Sequence, residues 1–281
     1  MEGKDFETAR RALNKVTDTL LKGESVPGIG SGYAELDDRF LGLRNGNLIV
    51  VGGRPSMGKT AFALNLLENA AVEGGKTCLY ISLDHPELMG RLLRQRARLD
   101  LPKKLEDSER EKIAEVSRQI ENAPIIMDYR ETPTATQIAE AAREYASRND
   151  IRLIIIDYLQ LISAEKDEIQ RKMSRREKIL KGLARELECP VVVLSQLSRK
   201  IEKRRDRRPR LSDLHSRGRI EEVADSVLLL YRDEYYHIDS ERKGIMEVIV
   251  AKGSADPNCT VELVYMANCG KIFSPVRPGG N

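Results

Sequence analysis

Apolar residues gather in short runs through the middle of the chain, spaced by helix-length segments. Strand-like runs fall at 47–52, 77–82, 124–127, 153–157 and 190–195. Helical patterns fill 59–73, 86–98, 108–121, 134–148 and 172–188, with a short one at 33–40. β-rich runs bounded by helices predict βαβ units, and so an α/β fold with a mainly parallel twisted sheet covered on both faces. Beyond residue 220 the helices stop. The runs 226–231, 245–251 and 260–266 then read as strands that pair antiparallel at one edge of the sheet. No repeat of 20–50 residues is visible.

The first residues show another pattern. Over 5–22, Phe6, Ala9, Leu13, Val16 and Leu20 alternate spacings of three and four, a narrow apolar seam on a charged helix. Gly23 and Pro27-Gly28-Ile29-Gly30-Ser31-Gly32 separate it from the rest of the chain. The expected division is an appended helix, residues 1–25, and one α/β domain, residues 26–281. Such a seam folds back on its own domain or docks on a neighbouring subunit, and its spacing suits both.

At 281 residues the chain is long enough for one large domain with a well-buried core. It shows neither a membrane-length apolar run nor a signal peptide, so a soluble cytoplasmic protein is expected. Cys78, Cys189, Cys259 and Cys269 lack C-x-x-C spacing and sit in or beside apolar runs, as packed thiols do. The net charge of +3 says little, but its distribution says more. From 199 to 219, ten basic residues face Glu202, Asp206 and Asp213, a local +7 that leaves −4 for the remainder.

Candidate chemistry begins where the run 47–52 enters Gly53-Arg54-Pro55-Ser56-Met57-Gly58-Lys59-Thr60 ahead of a helix. This is a P-loop in its proper context. Backbone N–H groups and the helix N-terminus cradle phosphates, Lys59 reaches the β- and γ-phosphates, and the Thr60 hydroxyl binds magnesium. ATP and Mg2+ are the ligands expected. Leu153-Ile154-Ile155-Ile156-Asp157 supplies a carboxylate for the metal at the carboxyl end of a buried strand. Two other strand ends point to the same crevice: Asp84 as a base for the attacking water, and Gln196 as a sensor of the γ-phosphate.

Five segments, in order, resemble the C-terminal motor domain of the DnaB family of bacterial replicative helicases. They are Arg54-Pro55-Ser56-Met57-Gly58-Lys59-Thr60, Asp157-Tyr158-Leu159-Gln160-Leu161, Leu194-Ser195-Gln196-Leu197-Ser198-Arg199, Arg208-Pro209-Arg210-Leu211-Ser212-Asp213-Leu214 and Tyr231-Arg232-Asp233-Glu234-Tyr235-Tyr236. The resemblance spans roughly residues 26–275. It implies a RecA-like P-loop NTPase and a homo-hexameric ring that threads single-stranded DNA, moving 5′ to 3′. ATP would be hydrolysed between subunits, with primase and a helicase loader as further partners. Residues 5–22 then resemble the linker helix that docks on the adjacent protomer. The family's N-terminal, primase-engaging domain has no counterpart in these 281 residues. The basic run lies where the family faces its pore, so the resemblance casts Arg204, Arg205, Arg207, Arg208, Arg210, Arg217 and Gly218 as DNA contacts. Few aromatic residues accompany it, so phosphate contacts rather than base stacking are expected.

Three departures from the family bear on rate. Asp84 stands where the family has a catalytic glutamate, one methylene longer, and a displacement of about 1 Å can cost roughly 100-fold. In Lys252-Gly253-Ser254-Ala255-Asp256 the lysine that acts in trans is kept, but Ser254 replaces an arginine finger, a group that supplies about 10³–10⁵ in related phosphoryl transfers. The DNA loop reads Leu214-His215-Ser216-Arg217-Gly218, with the glycine kept and the arginine moved two places. Slow turnover on ordinary nucleotide binding is the expectation, and a slow ATP- and DNA-binding ring acting as scaffold, loader or inhibitor is the rival reading.

Overall fold

The computed structural model describes residues 28–84, 87–100, 105–165, 175–214, 220–253 and 259–275. The helix expected at 5–22 lies outside them. A small ribbon, β1 (Gly28–Ile29) antiparallel to β2 (Leu43–Arg44), precedes the main sheet. That sheet contains β3 (Leu48–Gly53), β4 (Thr77–Ser82), β5 (Ile125–Tyr129), β6 (Ile151–Asp157), β7 (Val191–Gln196), β8 (Ser226–Tyr231), β9 (Ile245–Lys252), β10 (Cys259–Met266) and β11 (Lys271–Phe273). Their order is β11-β10-β9-β8-β3-β7-β6-β4-β5. Pairing is parallel from β8 to β5 and antiparallel from β8 to β11, as the loss of helices after residue 220 predicts.

Side-chain alternation explains why the sheet is covered twice. Ile49 and Val51 of β3, Leu153 and Ile155 of β6, and Val192 and Leu194 of β7 share one core layer. Leu48 and Val50, Ile154 and Ile156, and Val191 and Val193 share the other. A strand apolar at every position has no face to give to water, so helices must lie on both sides. Helices Lys59–Leu67, Leu88–Ala97 and Asp107–Glu121 bring Phe62, Leu92 and Val116 to the first layer. Helices Ala135–Ala146 and Arg175–Glu186 bring Ile138, Leu180 and Leu183 to the second. Reciprocal capping by Thr134 and Gln137 fixes the start of helix Ala135–Ala146.

The helix predicted over 59–73 changes character partway. It is α-helical to Leu67 and continues as wider π-type turns over Glu68–Glu73. At the junction the buried Glu68 carboxylate accepts hydrogen bonds from Gln95 Nε2 (2.9 Å), Arg96 (2.9 Å) and Lys271 Nζ (2.7 Å). Asn65 Oδ1 of the same helix accepts from the Ile272 N–H at 3.1 Å, which holds β11, a strand too short to stand out in the sequence. Burial pushes the Cys78 and Cys189 thiols up to about 12, as packed, unreactive cysteines require. Among the described residues no helix is long and apolar enough to cross a membrane.

Candidate functional site

Register brings the predicted site together. Gly53 at the end of β3 pairs with Gln196 at the end of β7, and Ser82 of β4 pairs with Asp157 of β6. Four parallel strands therefore end at one crevice, on the side where open α/β sheets bind ligands. A cavity of about 650 Å3 opens there, and Pro55, Ser56, Gly58, Lys59, Thr60, Asp84, Asp157 and Gln196 all line it. The loop turns through two left-handed residues, Ser56 (φ 63°) and Gly58 (φ 91°). The left-handed backbone at Gly58 is one that side chains rarely adopt, so conformation calls for glycine there.

Within the cavity Lys59 Nζ donates to the Arg54 carbonyl at 3.1 Å. Burial pushes this ammonium down to about 8; the Asp157 carboxylate pulls it back up, and the Arg54 charge lowers it further. The Thr60 hydroxyl donates to Asp157 Oδ2 at 2.9 Å, which keeps its own lone pairs for a metal. The Tyr80 phenol, fully buried, donates to that same oxygen at 2.9 Å. Burial and the adjacent carboxylate push the phenol well above its ordinary value, so it stays a donor. A hydroxyl beside one carboxylate is a hard-oxygen pair of the kind magnesium accepts when phosphates and waters complete its shell.

Not every residue of the predicted set points inward. The Met57 side chain is buried in the core. Arg54 is also buried: its Nε and Nη2 donate to Glu202 Oε1 (2.9 and 2.6 Å) and its Nη1 to the Leu197 carbonyl (2.8 Å). Arg54 thus ties the loop to the chain after β7. Lys252, expected to act across an interface, donates from Nζ to the carbonyls of Glu221 (2.8 Å) and Ala224 (2.6 Å) of its own chain. Ser254, Arg217 and Gly218 lie outside the described residues.

The basic segment divides in two. Arg204 grips both oxygens of Asp213 (3.0 and 2.8 Å) and also donates to the Arg208 carbonyl. Arg208 grips both oxygens of the buried Glu247 at 2.8 Å and lies over the Tyr231 ring. Arg207 lies over Tyr236, 5.0 Å from its centroid. Lys203, Arg205 and Arg210 are exposed. The uniform run of candidate DNA contacts is therefore part internal clamp and part open surface.

Three supporting contacts are not given by the sequence. Tyr80 reads as one more apolar strand position. The Gln160 amide bridges β6 to β7, donating to Ser195 Oγ (3.0 Å) and the Gln196 carbonyl (3.1 Å) while accepting from the Gln196 N–H (3.0 Å). Arg232 donates to the Ser56 carbonyl at 3.2 Å, pairs with Glu234 and lies 4.3 Å from the Tyr265 ring centroid. It braces the loop Gly53–Thr60 from within its own subunit. Gln160 and Arg232 do lie in family-like motifs, which marks them as notable without giving their contacts.

This sheet and this loop define a RecA-like P-loop nucleotide-binding domain. The family model described as the DnaB-like helicase C-terminal domain matches residues 28–274, and the chain belongs to that family. It is 38% identical over 261 residues to the replicative DNA helicase DnaB of Geobacillus stearothermophilus, covering 90% of this chain and 58% of that protein. Against the DnaB of Haemophilus influenzae it is 40% identical, covering 88% of this chain and 56% of that one. The chain thus spans little more than half the length of these relatives. Among solved structures, one described as an ATPase domain superposes with a TM-score of 0.90 at 32% identity, covering 97% of this chain and 100% of that one. A DnaB-like replicative helicase, described with its interactions with primase, gives 0.86 at 32% identity, covering 97% of this chain and 68% of that one. The RadB recombinase, at 0.57 and 16% identity, shares the fold alone.

Proposed function

We propose that this chain is the ATP-driven motor of a replicative-type DNA helicase, a homo-hexameric ring that moves 5′ to 3′ on single-stranded DNA. Residues 1–25 dock on the neighbouring subunit, and primase and a loader are its further partners, in the cytoplasm. The observation that carries this reading is the convergence of Lys59, Thr60 and Asp157 at the carboxyl ends of β3 and β6. Thr60 and Asp157 would hold magnesium, which supplies charge neutralisation on the β- and γ-phosphates. The loop's N–H groups bind and orient the phosphates, Lys59 holds the γ-phosphate, and Asp84 takes the proton of the attacking water. Gln196, its backbone held by Gln160, senses the γ-phosphate at the end of the strand that leads into the basic segment. Exposed Lys203, Arg205 and Arg210 contact DNA phosphates, which makes binding salt-dependent and indifferent to sequence.

One observation favours the slower reading. The Lys252 ammonium is spent on two carbonyls of its own subunit, and reaching a neighbour's phosphate would mean giving both up. With aspartate as base and Ser254 in the finger position, turnover falls more than nucleotide affinity does. ATP turnover measured with and without single-stranded DNA tests both readings. A motor speeds up on DNA, and Asp84→Glu raises its rate further. A rate unmoved by DNA and by Asp84→Glu would contradict the motor and favour the scaffold.

A further inference from the structure

Tyr80 sits in the middle of β4, fully buried, in a run that otherwise reads Thr77-Cys78-Leu79 before it and Ile81 after it. Its partner in register is Ile155 of β6, two residues before Asp157. Two strand residues rise about 6.6 Å, a span that an aromatic side chain leaning along the strand covers. The ring packs in the same core layer as Ile155 and Leu153. Phenylalanine would fill that layer equally well and would bring no hydroxyl into it. A buried hydroxyl costs free energy unless it is hydrogen-bonded. The bond it makes is to Asp157 Oδ2 at 2.9 Å, the oxygen that also accepts from Thr60. One donor comes from the crevice and the other from the core, and together they fix the rotation of the carboxylate.

We propose that Tyr80 is a positioning residue for the metal site, its phenol holding the Asp157 carboxylate in the orientation that binds magnesium together with nucleotide. The proposal rests on the reading of Thr60 and Asp157 as the magnesium site. Partners behind a metal ligand set its orientation, and their loss typically weakens metal affinity about 10–100-fold. Thr60 is half-buried and lines the cavity. The Tyr80 phenol is fully enclosed, and its hydrogen bond to Asp157 lies within the core.

The test titrates Mg2+ against binding of a fluorescent ATP analogue, using the full chain, Tyr80→Phe and Asp157→Asn. Tyr80→Phe should raise the half-saturating Mg2+ concentration roughly tenfold while leaving nucleotide binding in EDTA unchanged. Asp157→Asn should raise it further. A Tyr80→Phe curve lying on that of the wild type while Asp157→Asn shifts would overturn the role of Tyr80 and leave the metal site standing. Equal weakening with and without Mg2+ would also overturn it, because a general packing defect acts on both. If Asp157→Asn leaves the Mg2+ dependence intact, the metal-site reading itself falls.

Discussion

The crevice at the strand ends and the basic segment are both polar, and both come directly after strands of one sheet. In the crevice, polar groups from β3, β4, β6 and β7 aim at a shared space, and partners hold them there: the buried Tyr80 on Asp157, and the half-buried Gln160 and Arg232 on the backbone of Gln196 and Ser56. In the segment 199–210, neighbouring arginines go separate ways. Arg204 and Arg208 turn inward onto Asp213 and Glu247, while Lys203, Arg205 and Arg210 face solvent. A phosphate loop must present several groups to one ligand, so its spacing is constrained residue by residue. A charge run has no such constraint, and each member takes whatever partner the fold brings near.

The sharpest way to break this contrast is to remove a group from the crevice. Asp157→Ala should lower ATP turnover at least roughly 100-fold, because it takes away the carboxylate that supports charge neutralisation at the phosphates. Steady-state phosphate release checks this. A loss under tenfold would mean that the crevice tolerates substitution as the basic segment does.

The two halves of the basic segment should then fail differently. Arg204→Ala leaves the nearly buried Asp213 without its bidentate partner and should cost about 2–3 kcal/mol in urea unfolding. Arg208→Ala should cost less, about 1–2 kcal/mol, because Arg242 also pairs with Glu247 and Arg208 is part exposed. Replacing Lys203, Arg205 and Arg210 together by alanine should change stability by no more than about 0.5 kcal/mol. The same triple variant should reduce the salt slope of single-stranded DNA binding by about 0.7 for each phosphate no longer neutralised, read from fluorescence anisotropy across a salt series. Arg204→Ala with full stability and abolished DNA binding would erase the division.

Sequence and structure part at similar places. The strands, the glycine-bearing loop Gly53–Thr60 and the acid of β6 are legible because each is a local pattern: alternation, fixed glycine spacing, a charge ending an apolar run. Tyr80, Gln160 and the arginine clamps are not. Tyr80 meets Asp157 across 77 residues, Gln160 meets Ser195 across 35, and Arg208 meets Glu247 across 39. Those pairings exist only once the sheet order is set. The π-type turns at Glu68 are hidden for the same reason, since their junction is anchored by Lys271, 203 residues away.

A smaller effect arises from Lys59, whose ammonium burial brings down to about 8. The ordinary value is 10.5, so the unfolded chain holds this proton more tightly than the folded one does. The charged lysine therefore penalises the fold fully below pH 8, and the penalty fades as pH rises from 8 toward 10.5. Phosphate binds the protonated form, so nucleotide affinity should move the opposite way. It should hold up to about pH 7.5 and fall roughly tenfold by about pH 9. Fluorescent nucleotide titration across that range checks it, with Lys59→Arg expected to flatten the decline because arginine stays charged.

The motor reading stands or falls on the loop Gly53–Thr60 being the phosphate site of an ATPase. The direct measurement is ATP binding and hydrolysis by Lys59→Ala beside the unaltered protein. Hydrolysis should be abolished and nucleotide binding sharply weakened, with the unfolding transition preserved. Turnover unchanged in Lys59→Ala would contradict that assignment.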